Sequence, residues 1–211
     1  STSNAVRIEQ YFKFRKQQAW ACFSKHRKVL VNKHISLKLR LKYFDTCVTP
    51  AMLFGLHICP LPQKFITQLD AVQNKMLRTI VGWRRLPNET WRETMMRMND
   101  RVLVGFTHYV CNAWSMLRAR ALWRYAIHVA LSDEQSLPRR IVHMTKRGID
   151  DPASPYMPYR SRGRLHQRWD DKLTAFCERH IASGVDWMTA ILQFNGDLQQ
   201  IEDLFVLFAN T

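Results

Sequence analysis

Four adjacent acidic pairs are the groups in this chain that could hold catalytic metal: Asp133-Glu134, Asp150-Asp151, Asp170-Asp171 and Glu202-Asp203. Two-metal phosphoryl transfer uses such a pair, set in a hairpin turn, to hold Mg²⁺ ions about 4 Å apart around the attacking and leaving oxygens. None of the four reads as strand-turn-strand. Asp150-Asp151 precedes a proline in an extended stretch and Asp170-Asp171 opens a helix, so no catalytic residue is assigned and the chain alone is not expected to catalyse. For zinc, Cys22 to His26, His108 to Cys111 and Cys177 to His180 each offer half a site, and no second half follows at finger or knuckle spacing. No metal ligand or cofactor is assigned. Gly-rich phosphate loops and Gly-x-Ser-x-Gly elbows are absent. The five cysteines, Cys22, Cys47, Cys59, Cys111 and Cys177, are far apart in mostly apolar helical runs and read as buried reduced thiols.

Binding chemistry is better represented. Thirty-two Lys and Arg against 17 Asp and Glu give a formal +15 and a pI near 10.1, a balance that favours polyanionic partners. The imbalance is sharpest from Arg7 to Lys42, which holds eleven Lys or Arg and one acid, Glu9. A merely solvated face interleaves both signs to gain pairing at three or four residues' separation, and this one does not. Lys25, Arg27, Lys28, Lys33, Lys38, Arg40 and Lys42 are therefore candidate phosphate contacts, joined by Lys75 and Arg78 on a neighbouring helix and Arg84 and Arg85 in the loop beyond it. For Arg118, Arg120 and Arg124 two readings stay open, snorkelling from an apolar helix and phosphate contact.

The elements that must position these residues all read as helix, and the fold class expected is all-α. Ala5 to Val31 predicts one long helix with Ile8, Tyr11, Phe12, Trp20 and Phe23 as its apolar positions. Ile35 to Arg85 predicts two apolar helices around a turn marked by Pro60 and Pro62. The first has Ser36 as N-cap and Leu37, Leu41, Phe44 and Val48 at helical spacing, and Pro50 should kink or end it near Thr49. The second carries Phe65, Leu69, Val72, Met76 and Ile80 on one face. Asn88 is expected to cap the next helix, with Trp91, Met95, Met96 and Met98 as core. Arg101 to Leu131 reads as the longest apolar helical stretch, with Val104, Tyr109, Trp114, Leu117, Leu122, Tyr125 and Val129 available for burial. Pro152, Pro155 and Pro158 make 148–163 an extended linker. The expected organisation is a basic helical bundle over 1–147, that linker, and a smaller helical segment over 164–211 in which Trp169 pins the first helix and the tail is acidic.

Leu37 to Gly82 and Arg162 to Asp171 form two segments that resemble the region after the polymerase palm in reverse transcriptases of non-LTR (LINE-type) retrotransposons. The first is Leu37, Leu41, Phe44, Thr46, Val48, Pro50, Leu53, Phe54, Gly55 followed by Leu69, Gln73, Met76, Leu77, Arg78, Ile80 and Gly82. The second, Arg162, Gly163, Arg164, Arg168, Trp169, Asp170, Asp171, is similar to the family's Arg-Gly-Arg-Pro-x-x-Arg-Trp-x-Asp-Asp, with Leu165 at the proline position and the aspartates directly after Trp169. The resemblance implies a thumb domain, a helical bundle that grips template-primer backbone for an RNA-directed DNA polymerase. Its partners would be RNA, RNA-DNA hybrid or duplex, and the palm of the same parent chain. Mg²⁺ would belong to that palm. Two other readings remain: a helical interaction scaffold for an acidic protein or membrane surface, and a free-standing binder of structured RNA. The chain begins at Ser1 without Met, as an excerpt or processed product would. With no run of 18 uninterrupted apolar residues and no secretory signal, the expected location is nuclear or cytoplasmic.

Overall fold

The computed structural model describes residues 4–109, 112–142, 168–181, 186–194 and 198–209, and all secondary structure among them is helical. The helices are α1 (Asn4–Leu30), α2 (Leu37–Leu53), α3 (Gln63–Val81), α4 (Trp91–Tyr109), α5 (Trp114–Leu131), α6 (Asp171–His180), α7 (Trp187–Gln193) and α8 (Leu198–Ala209), with residues 137–142 helical as well. No helix among the described residues is long and apolar enough to cross a membrane. Two compact units form, Ser1–Arg118 and Ala119–Thr211. The boundary between these units falls within α5, and 148–163, expected as a linker, lies outside the described residues.

The first unit is built on an antiparallel pair. Phe12, Ala19, Phe23 and Leu30 recur at steps of seven, four and seven, one face of α1, and all four are buried. A short connection returns the chain as α2, whose cross-contacts run in opposite order. His26 Nδ1 meets Tyr43 Oη at 2.7 Å, Cys22 Sγ donates to Cys47 O at 3.3 Å, Arg15 donates to Ala51 O, and Tyr11 Oη donates to Phe54 O at 2.8 Å. Ser36 caps α2 as expected, accepting from Leu39 N. Pro50, however, does not end the helix. The final turn is held from outside: Met52 is fully buried, and Tyr11 and Arg15 of α1 bond the carbonyls of Phe54 and Ala51. Tertiary contacts here outweigh the lost backbone donor.

The α3 stripe forms as the spacing predicts. Phe65, Leu69, Met76 and Ile80 are buried, Val72 is partly buried, and the Phe65 ring lies 4.8 Å from that of Phe12. Gly82, in the left-handed region at φ 92°, ends the helix.

Helix α4 departs from expectation in both cap and face. Thr90, not Asn88, caps it: Thr90 Oγ1 accepts from Glu93 N, and Glu93 Oε2 accepts from Thr90 N and Oγ1, a reciprocal box that satisfies two N-terminal donors. The buried face is Thr94, Met98, Val102 and Gly105, leaving Trp91, Met96 and Val104 exposed. Gly105 lets α4 come close to α2, with Leu41 Cδ1 3.7 Å from where a Cβ on Gly105 would stand. Arg101 to Leu131 is not one helix either, because α3 side chains take over the start of α5. Gln73 Oε1 accepts from Trp114 N (2.9 Å), Gln73 Nε2 donates to Asn112 O (3.0 Å), and Asp70 accepts from Ser115 N (2.9 Å), with its negative charge at the positive end of α5. The Trp114 ring stacks on Phe44 at 5.9 Å, and its Nε1 donates to Thr49 Oγ1.

In the second unit, Trp123 of α5 packs against Phe176 of α6 and Phe205 and Phe208 of α8 at ring separations of 6.2, 6.4 and 5.5 Å. Trp169 lies against Tyr125 and Trp187 at 5.1 and 5.4 Å, so it pins the start of α6 within this unit.

Candidate nucleic-acid interface

The candidate cations sort by what their side chains touch. Lys25, Arg27, Lys28, Lys33, Lys38 and Lys42 are exposed and form no ion pair among the described residues. All six lie in the α1–α2 connection or within five residues of the helix ends, Leu30 and Leu37, that flank it, so at 1.5 Å of rise per residue they occupy one end of the helical pair, roughly 8 Å deep. From Gln10 to Phe44 there is no Asp or Glu to offset them.

Arg40 does not belong to that group. It is buried, and its guanidinium is spent on backbone: Nε donates to Ile35 O (3.1 Å), and Nη1 donates to Leu30 O (3.3 Å) and Ile80 O (2.6 Å). Leu30 is the last residue of α1 and Ile80 the last but one of α3, so one cation satisfies carbonyls at two helix C-termini and lies at their negative dipole ends. Burial pushes its pKa down. The expected phosphate contact is therefore a tie between three segments, and the run's spacing cannot distinguish the two roles.

That tie fixes where the α3–α4 loop emerges. Two residues after Ile80 the helix ends at Gly82, and Trp83, Arg84 and Arg85 follow, all exposed. The loop is clamped from α4. Arg97 pairs with Glu89 (2.5 Å) and donates to Arg84 O (2.7 Å), Glu89 also accepts from Leu86 N (3.3 Å), and Arg101 donates to Val81 O (3.3 Å). The Arg97 guanidinium holds the Glu89 carboxyl at about 2. Arg85 Nε is used on Glu89 O (3.0 Å), whereas no described bond engages the Arg84 guanidinium. Exposed Arg101 joins this end of the unit through its Val81 contact, a placement that nothing in its sequence neighbourhood signals.

Two further candidates are tied to neighbours. Arg78 is half-buried and donates to Asn99 Oδ1 of α4 (2.8 Å), and burial lowers its pKa. Exposed Lys75 lies over the Trp20 ring, 5.7 Å from its centroid. Arg118 neither snorkels nor faces solvent: it is buried, and donates through Nε to Leu56 O and Nη2 to Cys59 O, both at 2.8 Å, bracing the α2–α3 connection. The half-buried Arg120 lies over the Phe205 ring, 4.9 Å from its centroid, while Arg124 is exposed.

Among the groups considered for metal, Asp170, Asp171 and Cys22 take part in structural hydrogen bonds. Asp170 is buried, with both carboxylate oxygens on Arg168 (3.0 Å each) and Oδ2 also accepting from Trp187 Nε1 (3.2 Å). Asp171 Oδ2 accepts from Arg168 N (2.6 Å), so the Arg-Trp-Asp-Asp run ties α6 to α7. Burial raises the Cys22 thiol pKa, as it does for Cys177, which is pushed up to about 11. No cluster of three or more His, Cys, Asp or Glu with metal-holding geometry occurs among the described residues. Asp150-Asp151 and Cys111 lie outside them.

What the arrangement can do is bind anions. One end of the first unit presents lysines and arginines from α1, α2 and the α3–α4 loop, with no carboxylate in the whole of Gln10 to Phe44. No family model matches the chain, and no curated protein or solved structure matches it.

Proposed function

We propose that the first unit grips a nucleic-acid backbone in the manner of a polymerase thumb, as part of a non-LTR retrotransposon reverse transcriptase, and does not itself catalyse. The single observation that carries the reading is the cationic end of the α1–α2 pair, where Lys25, Arg27, Lys28, Lys33, Lys38 and Lys42 are exposed within an acid-free span. The resemblance of Leu37 to Gly82, and of Arg162 to Asp171, to the post-palm region supports the polymerase context. The helix ends support it electrostatically. Arg40 offsets the negative ends of α1 and α3, which would otherwise oppose an approaching phosphate, and the positive end of α2 starts at the same place.

Phosphate contacts made by such a surface position a duplex without reading its bases. If about five side chains each neutralise one phosphate, log affinity falls with log salt at a slope of about −4 to −5. The test is fluorescence anisotropy of the full chain with duplex DNA and RNA-DNA hybrid across a salt series, comparing wild type with the triple variant Lys33→Glu, Lys38→Glu, Lys42→Glu. The variant should weaken all oligonucleotides alike and flatten the slope by about three. Equal affinities and equal slopes would remove this end of the unit from any site.

A further inference from the structure

Trp83 is a large ring left 44% exposed on a loop that is otherwise firmly held. Gly82 turns the chain out of α3 at a φ of 92°, and the backbone carbonyls on either side of Gly82 and Trp83 are anchored from α4, with Arg101 on Val81 O and Arg97 on Arg84 O. Nothing stands within 4 Å of a Cβ built on Gly82, so the space beside the turn that precedes Trp83 is open. The ring is also placed by chain reach. Ile80 O shares the Arg40 guanidinium with Leu30 O and Ile35 O, and Trp83 begins at most about 11 Å from Ile80.

We infer that Trp83 is a base-stacking platform at the edge of the cationic end of the first unit, so that the site takes a nucleic acid in which a duplex gives way to an unpaired nucleotide. This rests on the nucleic-acid reading above and names the class of substrate for that same site. Lysine ammonium groups recognise phosphate as point charges and are indifferent to whether bases are paired. An indole differs, because a continuous duplex hides the faces of its bases and an unpaired base offers one. Stacking of a base on an aromatic ring tolerates any sequence. The clamped loop matters here, since a backbone held before binding loses little freedom when its side chain stacks. Arg84, exposed beside it, can meet the phosphate of the same nucleotide.

The experiment uses the full chain and three oligonucleotides: a blunt RNA-DNA hybrid, the same hybrid with a short unpaired overhang, and the overhang form with abasic spacers replacing its bases. Wild type should prefer the overhang over both others. Trp83→Ala should cost about ten-fold in affinity for the overhang form only, with the salt slope unchanged. Trp83→Phe should keep most of the preference, and Lys33→Glu with Lys38→Glu should weaken all three ligands while the preference survives. Wild-type binding without preference, or a Trp83→Ala that weakens blunt and overhang forms equally, overturns the stacking role and leaves the backbone grip standing. Equal affinities for overhang and abasic forms overturn it as well. Failure of wild type to bind any of the three removes both readings together.

Discussion

Replacing Arg40 by Met should unlatch the end of the first unit where three segments meet. The apolar stem would stay packed and the donor head would go, stranding the carbonyls of Leu30, Ile35 and Ile80 that it now serves at 2.6 to 3.3 Å. Hydrogen bonds from a charged donor contribute about 1.5 to 3 kcal/mol each, which would suggest a loss well above 4. The sum overstates it, because Arg40 is buried beside carbonyls with no carboxylate to offset its desolvation, and methionine avoids that cost. A net loss of about 2 to 4 kcal/mol follows. Lysine should recover less than half of it, since one ammonium cannot occupy the positions of both Nε and Nη1. Urea denaturation followed by circular dichroism gives the value, with Lys38→Met as the exposed control, expected to change stability by less than about 0.5 kcal/mol. If Arg40→Met also lost less than about 0.5 kcal/mol, the tie would be a geometric coincidence, and Arg40 would return to the pool of candidate phosphate contacts.

Two other outcomes follow from the site and the second unit. Glu89 is held at about 2, below its ordinary 4.5, chiefly by its hydrogen bond with Arg97. Its contribution is complete above about pH 4.5 and disappears as pH falls toward 2, so acid unfolding of Glu89→Gln should show a shallower dependence on pH across that window than wild type. Asp170→Ala should cost about 2 to 4 kcal/mol by calorimetry, because it removes a buried carboxylate that bonds both Arg168 and Trp187 Nε1. A variant as stable as wild type would mean that the Arg-Trp-Asp-Asp run is not a structural joint.

Helical periodicity was legible where one residue type dominates a face. Phe65 to Ile80 is such a face, and so is the all-α class that follows from it. It failed on α4, where Thr94 and Gly105 line the buried side and the bulky Trp91 and Met96 point outward, because close helix approach selects small residues that hydropathy does not flag. The Asn88 cap lost to Thr90 for a reason visible in the chain itself, the Thr-x-x-Glu spacing of 90–93. Local breaker rules also missed that contacts from α1 carry α2 past Pro50, and that Gln73 and Asp70 start α5 afresh. Within the cationic run, charge alone could not separate Arg40 from Lys38 and Lys42. The difference lies in helix phase and in Ile80, forty positions away, whose carbonyl Arg40 reaches.

The Gln73 and Asp70 contacts determine where the chain can be cut. A fragment ending in the gap between α4 and α5 keeps every exposed lysine of the first unit, yet it takes from Gln73 and Asp70 the backbone N–H groups of Trp114 and Ser115 and from Thr49 Oγ1 the Trp114 indole donor. It also opens a void of tryptophan size beside Phe44. Four residues further on, Arg118 braces the carbonyls of Leu56 and Cys59. The shortest piece that keeps these contacts therefore extends through Arg118, and a length chosen by the extent of basic sequence would stop too early.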